Sequence, residues 1–214
     1  MTIRRSAIFG RVMASTFIPA LVQKLLIVVL SLQLTLFKNI GIKMGKYYST
    51  KTYGTDRGLS CCFRQWRATH SHCSTLHGYS IGIKLVFESE TLDDRNWVFD
   101  FGGLKQFKDW ADAMFDHTLV IAADDPHLKF FKKMNDIGYD GMTSGVPHER
   151  GAICDLRIVP GVGCEMFAKM CYDAMASLLE AYKVHGGRYP AGQSVRLKSA
   201  EVFEHAGNSA IYEG

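Results

Sequence analysis

Three histidines, one cysteine and one tyrosine fall within the ten residues His70–Tyr79, in the run WRATHSHCSTLHGY that begins at Trp66. If the preceding strand persists that far, His70 and His72 share one of its faces, and His77 and Tyr79 share a face at the start of the next. Two adjacent antiparallel strands would then bring three imidazoles onto one ion. Three neutral histidine nitrogens with an open fourth position make a catalytic zinc site, whereas a closed four-ligand set is structural. The competing reading is a hydrogen-bonded surface cluster. Cys73 sits among these histidines and is a candidate for the reactive thiolate form; the plain alternative is a small buried hydrophobe.

Other polar pairs carry two readings each. In Asp116-His117 a carboxylate can orient an imidazole and stabilise its protonated form, as a general acid or base needs. The same pair also suits a helix C-terminus, where a histidine answers the dipole. Glu204-His205 ends a strand, and Glu204 either accepts hydrogen bonds from a ligand or is simply solvated. Glu165 heads a long helix, where its charge is a favourable dipole partner. Asp100, Arg150 and Arg157 carry no specific argument.

The elements that must position these groups follow from periodicity. Residues Tyr79–Glu88 alternate, with Ile81, Ile83, Leu85 and Phe87 on one face, as a half-buried strand requires. Leu104, Phe107, Trp110, Ala111 and Met114 form the apolar stripe of a helix entered through Gly102-Gly103. Asp125-Pro126 opens a shorter helix bearing Leu128, Phe131 and Met134. Residues 137–152 have no period and read as a loop, and Ile153–Val159 as a short strand. Glu165–Lys183 has a wide apolar stripe and is the strongest helix, with Ser194–Glu204 and Ser209–Tyr212 as closing strands. The order predicts an α+β layer, an antiparallel sheet with helices on one face. Its exposed edges would favour oligomerisation by edge pairing.

Length and composition fit this outline. The chain has 214 residues, 47% hydrophobic and 21% charged, which excludes a disordered or collagenous chain. Six cysteines without a C-x-x-C pair point to reduced thiols and a cytoplasmic location. Six of the 25 basic residues and none of the 21 acidic ones lie in residues 1–45, which leaves the remainder with 19 basic against 21 acidic. Nucleic acid is therefore not an expected partner. Residues 1–45 are a basic, apolar extension, set apart from a domain over 46–214. Phe17–Phe37 is about long enough to span a bilayer but is broken by polar residues. Three readings stand for this extension: translation from Met44, a membrane anchor over 17–37, or a targeting segment.

Taken in order, the motifs resemble those of the 6-pyruvoyl-tetrahydropterin synthase and 6-carboxytetrahydropterin synthase family. They are Trp66-x-Ala68-x-His70, Cys73-x-x-x-His77-Gly78, Val98-Phe99-Asp100-Phe101-x-x-Leu104, Asp116-His117, Glu165, and Glu204 eight residues before Tyr212. The resemblance spans most of residues 46–214. It implies a tunnelling fold, a ββααββ unit that oligomerises through its sheet edges into a barrel, commonly a hexamer of two stacked trimers. It also implies a Zn2+ ion held by three histidines and a 7,8-dihydroneopterin triphosphate substrate. Cys73 would abstract a proton, His117 oriented by Asp116 would be its acid/base partner, and Glu204 would anchor the pterin ring.

This chain departs from that pattern at Tyr79, where the family has a third histidine ligand. Either a phenolate binds the metal or His70 and His72 both do, alongside His77. The segment 123–152 is also longer than the family needs. The compact Cys-x-x-x-His-Gly arrangement resembles the branch that forms 6-carboxytetrahydropterin, with loss of triphosphate and acetaldehyde, on the way to queuosine-type deazapurines. The alternatives are the 6-pyruvoyl-forming reaction and a protein that binds a pterin or purine without converting it.

Overall fold

The alternating residues of 79–88 form the spine of the fold. The computed structural model describes residues 19–39, 45–136, 153–185, 191–192 and 194–214. It divides into two units, Met1–Met44 and Gly45–Gly214. In the first unit Ala20–Asn39 is a helix (α1). Among the described residues no helix is long and apolar enough to cross a membrane.

The second unit begins with strands Tyr47–Tyr53 (β1), Leu59–Phe63 (β2) and His77–Ser89 (β3). Both β1 and β2 run antiparallel to β3 and succeed one another along it, β1 opposite Ile83–Ser89 and β2 opposite His77–Ile81. The chain crosses between them over Gly82, where a Cβ would stand 3.1 Å from the Tyr53 carbonyl oxygen and 3.3 Å from the Thr55 nitrogen. Any side chain there would push this backbone back by a few tenths of an ångström, so glycine suits the crossing. Ile81, Ile83, Leu85 and Phe87 are fully buried, as their alternation predicts. Each such side chain contributes about 1.5–3 kcal/mol of transfer free energy.

Helix Lys105–Phe115 (α2) buries Phe107, Ala111 and Phe115, at intervals of four. It is preceded by a tight turn that Asp100 caps, its side chain accepting from the Gly102 N–H at 2.9 Å. Strand Thr118–Ala122 (β4), helix Leu128–Asp136 (α3) and strand Leu156–Val159 (β5) follow. Helix Cys164–His185 (α4) buries Phe167, Cys171, Met175 and Leu179. Strands Arg196–His205 (β6) and Asn208–Glu213 (β7) form the closing hairpin, with β6 antiparallel to β3. The sheet order is β5-β4-β2-β3-β6-β7, with β1 also on β3. α4 packs on β6 and β7, and α2 on β2 and β4. Phe167 meets Phe63 edge-on at 5.1 Å and Phe115 at 5.2 Å, which knits both helices to β2.

The antiparallel α+β layer is thus present, with two additions. β4 and β5 extend it as parallel strands, Cys61 facing Thr118 and Leu119 facing Leu156. Val120 joins the main core, whereas Leu119 and Ile121 pack with Phe131 of α3. Since successive strand side chains alternate faces, α3 covers the reverse face of β4. One expectation is corrected. The strand before the histidine cluster ends at Phe63, so His70 and His72 do not share a strand face. His70 lies in a turn and His72 opens a short 3-10 turn over His72–Ser74. The expected loop over 137–152, with Arg150, lies outside the described residues.

Candidate active site

Residues 64–74 leave β2 as a series of nested turns. The Gln65 N–H donates to the Cys73 carbonyl at 2.7 Å, closing the loop on itself. Within it, Ala68 N–H reaches the Gln65 carbonyl at 2.8 Å and Ser71 N–H the Ala68 carbonyl at 3.0 Å. Ser71 caps the turn carrying Cys73, its Oγ accepting from the Cys73 N–H at 3.2 Å. The same hydroxyl donates to Cys73 Sγ at 3.3 Å, so one serine sets both the backbone and the sulfur.

This loop, the N-terminus of α4 and the β6–β7 hairpin enclose a cavity of about 480 Å3, into which Cys73, Cys164, Glu165 and Glu204 open. Gly163 takes φ +113°, and a Cβ there would be 2.5 Å from Gln65 Nε2. Glycine is therefore favoured by the backbone conformation, while a side chain there would displace the end of Gln65. Glu165 stands in the first turn of α4, where the helix dipole favours its charge. Glu204 ends β6, with Asn208 Nδ2 at 3.5 Å from its carboxylate. Burial, then the charges of Glu204 and Glu165, push the Cys164 thiol up to about 11.

His77 and Tyr79 share a face of β3, as their spacing predicts. His77 Nδ1 lies 2.7 Å from the Thr75 carbonyl oxygen, to which it donates. Nε2 is then the acceptor in the neutral ring, and the Tyr79 hydroxyl donates to it at 2.9 Å. Burial, then the neighbouring Glu204 carboxylate, raise the Tyr79 hydroxyl above its ordinary value. His70 and His72 are exposed and lie outside the cavity lining. Among the described residues, no three His, Cys, Asp or Glu side chains form a group that could hold a metal ion. As arranged, His70, His72, His77 and Tyr79 do not fit a three-histidine zinc centre.

Asp116 and His117 form the expected pair, with His117 Nδ1 donating to Asp116 Oδ1 at 2.7 Å. His117 adopts φ +56°, which turns the chain from α2 into β4 within two residues. Both side chains are largely exposed, at 69% and 40% for His117 and Asp116. Thr118 faces Cys61, the middle residue of β2, while the Cys73 loop leaves from the strand's end at Phe63. Asp116 and His117 are not among the residues that line the Cys73 cavity. Conversely, Cys164, Gln65 and Ser71 belong to the site though the sequence reading did not assign them. The available signal for Cys164 is its place at a helix mouth after Gly161-Val162-Gly163.

The model of a family described as 6-pyruvoyl tetrahydropterin synthase matches residues 55–214. The 6-carboxy-5,6,7,8-tetrahydropterin synthase of Rickettsia typhi is 35% identical over 57 residues, 26% of this chain and 41% of the relative. The Rickettsia conorii enzyme of the same name is 33% identical over the same shares, so the chain spans under half the length of these two relatives. The Aquifex aeolicus protein of that name is 25% identical over 144 residues, 66% of this chain and 75% of its own. Among solved structures, an uncharacterized protein from Wolinella succinogenes superposes with TM-score 0.57 and 20% identity, over 79% of this chain and 99% of the other. The Plasmodium falciparum 6-pyruvoyl tetrahydropterin synthase gives TM-score 0.50 and 14% identity, over 79% and 98%. These structures share the tunnelling fold with this chain.

Proposed function

Since the chain belongs to the 6-pyruvoyl tetrahydropterin synthase family, we propose that it is a lyase of the 6-carboxytetrahydropterin synthase type acting on 7,8-dihydroneopterin triphosphate. One observation carries this reading: Cys73, Glu165 and Glu204, 131 positions apart at the extremes, open into a single cavity. A carboxylate at the closed end of a strand hairpin can accept the paired N–H donors of a 2-amino-4-oxo-pterin edge, and Glu204 has that place. Cys73, oriented by Ser71, takes a proton from the pterin side chain. Water is consumed, triphosphate and acetaldehyde leave, and the carboxylated ring remains, a precursor for queuosine-type deazapurines.

Asp116 and His117 supply the complementary acid/base pair from a second copy of the chain. Their exposure, and their absence from the lining of the Cys73 cavity within one protomer, favour a site shared across an oligomer, and a hexamer of two trimers is the proposed assembly. Zinc, expected from the resemblance, supplies no step in this proposal. The six cysteines are free thiols, which suits a reducing compartment.

The test is incubation of the full-length chain with 7,8-dihydroneopterin triphosphate and mass spectrometry of the products. A 6-carboxytetrahydropterin with acetaldehyde is expected. A 6-pyruvoyl product would assign the other branch. A second reading, a protein that holds a pterin without converting it, is favoured by the hydrogen bond that occupies His77 Nε2. Pterin binding without turnover would establish it.

A further inference from the structure

His77 is the one histidine of the cluster that packs against the cavity wall, its ring 5.9 Å from that of Phe63. Both of its nitrogens are engaged, Nδ1 by the Thr75 carbonyl and Nε2 by the Tyr79 hydroxyl. That hydroxyl also interacts with Glu204. Zinc needs three or four lone-pair donors converging at about 2.0–2.3 Å. His70 and His72 stand outside the cavity, and a neutral phenol that gives its proton to an imidazole is not a ligand of that kind.

We propose that the cavity takes its ligand without a zinc ion, and that Tyr79 is a positioning residue whose hydroxyl occupies His77 Nε2, the lone pair a metal ion would need. The inference rests on the pterin reading for the identity of the ligand. A phenol has one proton to give. That proton goes to His77 Nε2, which leaves the Glu204 carboxylate open to the ligand's N–H donors. Tyr79 and His77 thus form a fixed pair beside the carboxylate, which reduces the ordering cost of binding. Phe63 keeps this arrangement in register, its ring 5.3 Å from that of Tyr79.

The full-length chain, expressed with zinc in the medium and desalted, is assayed for metal by inductively coupled plasma mass spectrometry and for neopterin binding by fluorescence. Zinc well below one ion per chain is expected, with neopterin affinity unchanged by EDTA. Tyr79→Phe preserves the ring and removes the hydroxyl; it is expected to weaken neopterin about tenfold with the melting temperature retained. About one zinc per chain, removed by His77→Ala, would overturn the proposal. So would an unchanged affinity in folded Tyr79→Phe. Absence of neopterin binding in every sample would sink the pterin reading, and the zinc content would still decide the metal question.

Discussion

Arg64 Nε lies 2.8 Å from Oδ2 of Asp125, whose side chain is wholly buried, and this ion pair fastens the root of the Cys73 loop to the start of α3. The other carboxylate oxygen of Asp125 accepts from the His127 N–H at 2.8 Å, so one side chain serves a charge and a turn together. Removing it strands a guanidinium that is 18% exposed. Asp125→Ala is expected to lower stability by about 3–5 kcal/mol, the usual cost of breaking a buried pair from one side. Asp125→Asn keeps a turn acceptor and should lose less. Urea unfolding midpoints check the order; two equally small effects would show that the pair does not hold the loop.

Cys73→Ala should lower turnover at least about 100-fold, the contribution of a positioned general base. Neopterin affinity should stay within about twofold, because Glu204 and not Cys73 anchors the ring. Single-turnover kinetics beside a fluorescence titration separates the two. Equal losses in both would make Cys73 a binding group.

If two copies build each site, inactive variants should complement. Cys73→Ala and His117→Ala, co-expressed in equal amounts, place an intact Cys73 opposite an intact His117 at about a quarter of interfaces in a random assembly. Activity near that fraction of the unmodified protein is expected. No recovery in a mixed oligomer of normal size would mean that both groups act within one chain.

Stability should fall in alkali. Burial raises the thiols of Cys61 and Cys164 to about 12 and about 11, from an ordinary value of 9.0. The unfolded chain therefore releases these protons at lower pH than the folded one. The stabilisation is complete below pH 9 and is lost as pH rises through 11 and 12. Melting temperature should decline across that window, and Cys164→Ser should flatten the decline. A profile level to pH 11 would contradict the burial of these thiols.

The parts of the fold that were legible share a one-sided pattern. Ile81, Ile83, Leu85 and Phe87 announce β3, and the stripe from Phe167 to Leu179 announces α4. β4 escaped because all five of its residues are buried, and a strand covered on both faces has no period to read. β1, with Tyr47 and Tyr48 half exposed among polar residues, shows no apolar period either. In the site, Cys73, Glu165 and Glu204 could be picked out by type and order. Their setting could not, because the path of residues 64–74 depends on a contact between Arg64 and Asp125, 61 positions apart. That path leaves His70 and His72 outside, whereas local spacing suggested convergence. Asp116 and His117 do not line the Cys73 cavity, and their place is set by the parallel pairing of β4 with β2, which no local pattern encodes.

The most direct test of the account is a crystal structure of the full-length chain with neopterin bound. The account predicts the ring in the cavity between Cys73 and Glu204, its N–H edge on the Glu204 carboxylate and its side chain toward Cys73 Sγ. A ring stacked instead in the aromatic groove formed by Tyr48, Trp97 and Phe101, a separate cavity of about 440 Å3, would contradict it.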